Sequence, residues 1–280
     1  MYLKNLSVIN FKNYKEVTLT FHSNVNCFVG NNGGGKTNLL DAIFYLSFSK
    51  SYFNPSDSQI ITHEEPFMVV QGDFNRLDQN EAIYCGIKRG QKKQFKRNKK
   101  EYSRISDHIG LLPLVMISPS DSSLILDGSD TRRRFLDLII SQYDRPYLEH
   151  VIQYNKAVSQ RNRLLKKFQE IRSFDEDSLE IWDAQLVLHG EKVYEGRKQF
   201  IEQFLPIFQK YYTFIAENNE VVGLTYLSQL NEDTFQNALM SARGNDRRAS
   251  YSTVGIHKDD LEFTISGFPI KKFGSQGQQK

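Results

Sequence analysis

Polar and apolar positions alternate over residues 3–10, where Leu3, Leu6, Val8 and Phe11 mark one side with a single slip, and again without a slip over 17–21. A period of two is the signature of a half-buried strand. Residues 24–29 form a short apolar run that stops at Gly30 and predicts a third strand. From Lys36 the period changes: Leu39, Leu40, Ile43, Phe44 and Leu46 fall at helical spacing. The first fifty residues therefore predict strand, strand, strand, loop, helix. Residues 67–74 and 82–88 predict two antiparallel strands followed by a hairpin tip or loop, and 111–117 predicts a buried strand.

From Asp130 the texture becomes helical. Residues 134–140, 147–168, 179–200 and 201–216 carry helical spacing with few breakers. Pro146 sits at a tolerated first-turn position, and Pro206 is expected to kink or end a helix. After Asn245 the pattern returns to short strands at 252–256, 261–265 and 269–271. The expected organisation is a first lobe with an antiparallel β subdomain over 1–129, a helical lobe over 130–245, and a return to the first lobe over 246–280.

Composition adds little to this picture. With 39% hydrophobic and 25% charged residues the chain is ordinary globular material. No apolar run is long enough for a bilayer, and the N-terminus lacks a signal peptide's apolar core, so a cytoplasmic protein without a membrane partner is expected. Cys27 and Cys85 read as two buried thiols. His22, His63, His108, His150, His189 and His257 show no metal-ligand spacing. A net charge of +3 permits a nucleic-acid partner without demanding one. Its distribution says more: Lys88, Arg89, Lys92, Lys93, Lys96, Arg97, Lys99 and Lys100 cluster without an intervening acid, and Arg132, Arg133 and Arg134 are consecutive. A solvated hairpin tip and a phosphate-contacting surface explain the first cluster equally well.

The candidate chemistry lies between the apolar run and the first helix. Gly30, Asn31, Asn32, Gly33, Gly34, Gly35, Lys36 and Thr37 spell G-x-x-x-x-G-K-[ST] in full. A polyphosphate needs several backbone N–H groups pointing inward, and side chains would block that approach, so glycines fill the loop. The helix N-terminus adds positive potential. In such a loop Lys36 reaches the β- and γ-phosphates of ATP and Thr37 places its hydroxyl on Mg²⁺. The reaction itself stays open, because transporters, kinases, GTPases and DNA machines share the loop.

The longer spelling from Gly30 to Ile43, G-x-N-G-x-G-K-T-N-L-L-D-A-I, resembles ABC-type ATPases of DNA repair and chromosome maintenance. Residues 6–14 resemble that group's opening L-x-x-x-N-F-R-N-Y. Ser118, Pro119, Ser120 and Asp121, then Gly128 and Arg133 to Asp137, resemble the RecF family's P-E-D … G … R-R-x-F-L-D. Residues 255–260 resemble its G-P-H-R-D-D, and 274–280 its S-x-G-Q signature. Lys12, Ser120, Asp130, Ile256 and Lys258 depart from those patterns. The resemblance implies an α/β P-loop NTPase fold: an ABC-ATPase-like head with an antiparallel β subdomain and an inserted helical lobe.

In that family two protomers sandwich ATP, so Ser275, Gly277 and Gln278 are expected to reach the partner's nucleotide in an ATP-dependent homodimer. The resemblance also implies single-stranded, gapped or junction DNA as a partner, faced by Lys92, Lys93, Lys96, Arg97, Lys99 and Lys100. It further implies action with RecO and RecR to load RecA in repair, replication restart and the SOS response, with slow DNA-dependent ATP hydrolysis. Arg132–Arg134 fit a structural tie as well as a DNA or nucleotide contact, and Lys12 a contact to phosphate or adenine. No segment up to Lys280 spells the acid-ending Walker B strand: 114–118 ends in serine and 136–139 lies in a predicted helix. The chain is therefore expected to stop short of its metal-holding acid, to lack the catalytic residues, and to hydrolyse ATP poorly. Another ABC-type head, SMC-like or fused to a nuclease, and a nucleotide kinase remain open alternatives.

Overall fold

A computed structural model describes residues 1–54, 56–216 and 220–274. The chain divides into two compact units, Met1–Met116 and Ile117–Lys280.

The first unit is built on an antiparallel sheet in the order β2-β1-β3-β4-β5-β6. Its strands are β1 (Tyr2–Phe11), β2 (Tyr14–Thr20), β3 (Phe67–Arg76), β4 (Gln79–Lys88), β5 (Gln94–Arg97) and β6 (Lys100–Glu101). One face is apolar at every second position: Leu6 and Val8 of β1, Met68 and Val70 of β3, Ile83 and Cys85 of β4, and Phe95 of β5 are all buried. Helix α1 (Lys36–Phe48) covers that face with Leu39, Ala42, Tyr45 and Leu46. The basic stretch after β4 is thus only partly loop. Phe95 anchors β5 in the core, and Asn98 and Lys99, both at positive φ, make the tight turn into β6.

Two expected strands do not form. Residues 24–29 and 111–117 belong to no strand ladder among the described residues. Val25, Val29, Val115 and Ile117 are 83–85% exposed. An apolar run becomes a buried strand only when another strand pairs with it, and none does here among the described residues, although Leu112 is buried and Phe28 and Leu111 pack against the core. The same exposure corrects the reading of Cys27, which is exposed, whereas Cys85 is buried.

The sheet's core also holds His108, fully shielded from solvent. Its Nε2 donates to the Leu46 carbonyl at 2.7 Å, and its Nδ1 accepts from the Tyr102 hydroxyl at 3.1 Å. Burial pushes its pKa down to about 4. The fold therefore holds the neutral imidazole, while the unfolded chain takes up a proton near pH 6.5. Its contribution to stability is full above pH 6.5 and is lost as pH falls towards 4, by up to about 1.4 kcal/mol per pH unit. Urea denaturation at pH 7 and pH 5 should show that loss, and His108→Gln should flatten it.

The second unit combines α2 (Ser123–Leu126), α3 (Ser129–Ile140), α4 (Arg145–Ile171), α5 (Glu176–Ile215) and α6 (Phe235–Ala249) with a short sheet. That sheet runs β7-β8-β9, from β7 (Val222–Leu227), β8 (Asp260–Ile265) and β9 (Phe268–Pro269), and is followed by the single turn α7 (Ile270–Phe273). Leu136, Tyr154, Leu186, Val193, Leu224, Phe235 and Leu261 share its core. The α5–α6 approach is close: a Cβ on Gly190 would stand 2.4 Å from the Phe235 ring. Pro206 does not end the helix, because α5 runs through it for 40 residues. The missing proline N–H costs one hydrogen bond, and the Phe204, Phe208 and Tyr212 rings beside it pack along β7 and β8.

The division between units falls earlier than the boundary at 129 drawn from texture, since texture tracks helix content and the division tracks packing. Strand β8, from the 246–280 stretch, pairs with β7, from the 130–245 stretch, in register from Val222↔Ile265 to Leu227↔Asp260. Residues 252–256 form no strand. Ser252 and Thr253 instead serve a buried ion network. Arg161 of α4 is fully buried and donates to Asp183 of α5 at 2.6 Å, Asp246 of α6 at 2.5 Å and the Ser252 hydroxyl at 2.9 Å. Asp246 also accepts from Thr253 N at 2.7 Å.

Candidate nucleotide-binding site

Gly30, Gly33 and Gly35 have φ of 151°, 81° and 93°, a region that L side chains rarely adopt. Gly35 is doubly constrained. A Cβ there would lie 2.6 Å from Asn13 Nδ2 and 2.7 Å from the Tyr14 ring. It also precedes α1 without a side-chain cap. Among the described residues, the loop's backbone bonds are Gly34 N to Asn31 O at 3.2 Å, then Asn38 N and Leu39 N to Gly35 O. The N–H groups of Gly33, Gly35, Lys36 and Thr37 thus find no backbone acceptor, and they cluster where the helix end concentrates positive potential. Lys36 Nζ donates to the Gly30 and Asn31 carbonyls, both at 2.8 Å, and so spans the loop's mouth. Thr37 is exposed. The structure therefore brings 30–37 together as a turn whose surplus is in donors, which fits a polyphosphate.

Sequence reading missed how the loop is held. The β1–β2 turn grips it: the Tyr14 hydroxyl donates to Gly34 O at 3.2 Å, and Asn38 Nδ2 donates to Asn13 Oδ1 at 2.8 Å. The N-F-K-N-Y spelling carried that signal. Lys12 is not free for phosphate. Its Nζ lies 2.6 Å from the fully buried carboxylate of Asp41 and over the Phe11 and Phe53 rings. Asp41 also accepts from Ser51 Oγ at 2.6 Å and Tyr52 N at 2.7 Å, so Lys12 neutralises a buried acid. Beside the loop a cavity of about 500 Å³ opens between Asn38, Asn54, Ser58, Gln59, His63 and Arg89. Its amides and hydroxyls offer both donors and acceptors.

The six cations expected to face DNA do not behave alike. Lys92, Lys99 and Lys100 are exposed, and Lys96 lies over the Tyr84 ring at 5.3 Å. Lys93 is removed from the set. Its Nζ is 2.8 Å from Asp57 and 2.6 Å from Ser49 O, and it caps the Tyr45 ring. Arg97 is half committed, since Nε and Nη2 clasp the Glu81 carboxylate and hold its pKa below the ordinary value. Ser275, Gly277 and Gln278 lie outside the described residues. No group of three or more metal-ligating side chains occurs among the described residues, and no described helix is long and apolar enough to cross a membrane.

The family model described as "RecF/RecN/SMC N terminal domain" matches residues 2–267. The DNA replication and repair protein RecF of Bacteroides fragilis is 53% identical over 281 residues, which cover all of this chain and 75% of that protein. The protein of that name from Flavobacterium johnsoniae is 50% identical over 280 residues, covering 78% of its length. Among solved structures, that of the recombination mediator protein RecF with ATP in the RecFOR pathway superposes with a TM-score of 0.94 at 32% identity, over 99% of this chain and 77% of that one. An SMC head bound to the C-terminal winged-helix domain of ScpA matches at 0.51 and 16% identity over all of this chain and 73% of that one, a likeness of fold alone. The fold is therefore the α/β head shared by RecF and SMC ATPases, with its antiparallel sheet and helical lobe. A phosphate-type loop held by the β1–β2 turn, a family match over 2–267 and relatives above half identity converge on one statement: the chain belongs to the RecF family of DNA replication and repair proteins.

Proposed function

We propose that the chain binds ATP with Mg²⁺ at Gly30–Thr37 and uses the nucleotide to control DNA binding in replication and repair. The carrying observation is the cluster of backbone N–H groups without acceptors at the start of α1, bridged by Lys36. The amides of Gly33, Gly35, Lys36 and Thr37 would hold the β-phosphate, Lys36 would turn from its carbonyls to the β- and γ-oxygens, and Thr37 would hold Mg²⁺. When bound, the metal neutralises phosphate charge. The neighbouring cleft at Asn38, Asn54 and Gln59 supplies polar edges for the base. The relative solved with ATP supports this reading. Calorimetry should show Mg²⁺-dependent ATP binding. Thr37→Val should remove most of the Mg²⁺ dependence and weaken ATP about tenfold, the worth of one charge-assisted contact. Equal ATP binding with and without Mg²⁺ would remove the role given to Thr37.

DNA, single-stranded, gapped or at a junction, is assigned to the β5–β6 hairpin through Lys92, Lys96, Lys99 and Lys100, with Arg97 contributing in part. Such contacts read phosphate rather than sequence. Reversing Lys92, Lys99 and Lys100 to Glu should weaken DNA binding uniformly across sequences and lower the slope of log affinity against log salt by about 3. ATP then works as the glue of a homodimer in which Ser275, Gly277 and Gln278 of each protomer complete the partner's site. In this reading the cytoplasmic protein acts with RecO and RecR to promote RecA loading and the SOS response, with slow, DNA-stimulated hydrolysis in the longer family members.

A further inference from the structure

Arg132, Arg133 and Arg134 are consecutive on α3 and meet three different fates. Arg132 is buried and structural: it clasps Asp260 at 2.6 and 3.0 Å and donates to the Leu124 and Asp127 carbonyls. Arg133 and Arg134 instead line a cavity of about 250 Å³, with Asp130, Asn155, Arg197 and His257 among its other walls. That cavity lies wholly in the second unit, away from the phosphate loop in sequence and in chemistry. Several of its polar walls are already used. Arg197 is bound to Asp137 at 3.0 and 3.1 Å and to the Ile256 carbonyl at 2.9 Å. His257 accepts from the Tyr154 hydroxyl at 2.8 Å and donates to Ser252 O at 3.1 Å, and burial pushes its pKa down to about 4.

Two guanidinium groups are left with one small acid between them. Arg133 gives a single hydrogen bond, from Nη1 to the Asp259 carbonyl at 2.6 Å, and its Nη2 stands 3.7 Å from Asp130, beyond hydrogen-bonding range. Arg134 pairs with Asp130 at 2.7 Å, and both are mostly exposed. Burial lowers the pKa of Arg133 and Asp130 opposes that shift, while the second acid of the wall, Asp137, is taken up by Arg197, so Asp130 is the carboxylate that Arg133 and Arg134 share. Forked guanidinium donors match the oxygens of a phosphate. The volume suits one phosphate and a few waters, and the cavity's one ring hydroxyl, on Tyr154, is bound to His257.

We propose that this cavity is a second phosphate site, holding one phosphate group on Arg133 and Arg134, with the Asp130 carboxylate as its internal competitor. The proposal goes beyond the nucleotide reading and stands without it. The phosphate belongs either to a free phosphate ion or to the phosphorylated end of a nucleic acid.

The test uses Lys36→Ala protein, so that the phosphate loop contributes little, with inorganic phosphate as the calorimetric probe. Saturable binding is expected. Arg134→Gln, at a largely exposed position where folding is not at stake, should weaken it about tenfold. Asp130→Asn should tighten it several-fold, a gain that a purely structural ion pair would not give. Unchanged binding in Arg134→Gln, or weaker binding in Asp130→Asn, overturns the proposal. A second arm compares an end-phosphorylated duplex with the same duplex bearing hydroxyl ends. A preference lost in Arg134→Gln assigns the site to nucleic-acid ends. No preference, with phosphate binding intact, assigns it to the free ion. Absence of both overturns the site.

Discussion

Replacing Lys36 by Ala should lower ATP affinity by about a hundredfold, the worth of roughly 3 kcal/mol of charge-assisted contact. The size follows from the place of Lys36 at the loop's mouth. Backbone N–H groups line the loop from one side, and they remain in the variant. The Lys36 ammonium crosses the mouth, reaching carbonyls at both Gly30 and Asn31. Removing it also removes two bonds that shape the empty loop, so part of the loss is organisational. The discriminating comparison is across nucleotides. ATP and ADP should both weaken, ATP more, whereas AMP, which has neither β- nor γ-phosphate, should bind as it does to the parent. Equal losses for AMP and ATP would mean that the variant had collapsed the site, and the assignment of Lys36 to the terminal phosphates would fall.

Arg161→Ala should destabilise the second unit by about 3–5 kcal/mol, the cost of leaving a buried charge unpaired. Asp246 is fully buried and Asp183 nearly so, and Arg161 is the cation between them. Truncation leaves Asp246 facing a cavity without a cation and Asp183 with only the longer contact to Arg243 at 3.4 Å, and both remedies, protonation and water entry, are costly there. Arg161 is itself imperfectly served, because its Nη2 has no hydrogen-bond partner. The network is therefore poor evidence of net stabilisation, and a triple apolar replacement of Arg161, Asp183 and Asp246 should recover much of the loss. Denaturant titration of the single and triple variants reads both. A single variant within about 0.5 kcal/mol of the parent, the range of an ordinary surface change, would contradict the network's importance.

The phosphate loop was legible because its chemistry is local. Eight consecutive residues carry the backbone freedom, the ammonium and the hydroxyl, and only the grip of Asn13 and Tyr14 comes from elsewhere in the chain. The β1, β3 and β4 alternation was legible for a similar reason, since each strand shows its own burial. What stayed hidden depends on partners far along the chain. Lys93 reads as one basic residue in a row of eight, and Asp57, the Ser49 carbonyl and the Tyr45 ring, all distant in sequence, make it structural. Lys12 is likewise claimed by Asp41. The three arginines on α3 are indistinguishable in one dimension, and helical rotation gives each a separate environment. Residues 24–29 and 111–117 misled in the opposite sense, because apolar content announces a wish for burial and cannot supply the neighbour. Of the two outcomes expected at Pro206, the helix does not end there, because its packing against β7 and β8 outweighs one lost hydrogen bond.

The exposed valines and isoleucine of those two segments carry a colloidal consequence. Val25, Val29, Val115 and Ile117 present exposed apolar side chains that favour association with other apolar surface. Self-association through them would be driven by apolar contact and would rise with protein concentration and with added sulfate. It would be indifferent to nucleotide. Loss of an oligomer when ATP is withdrawn would therefore separate the proposed ATP-dependent dimer from association of this apolar kind.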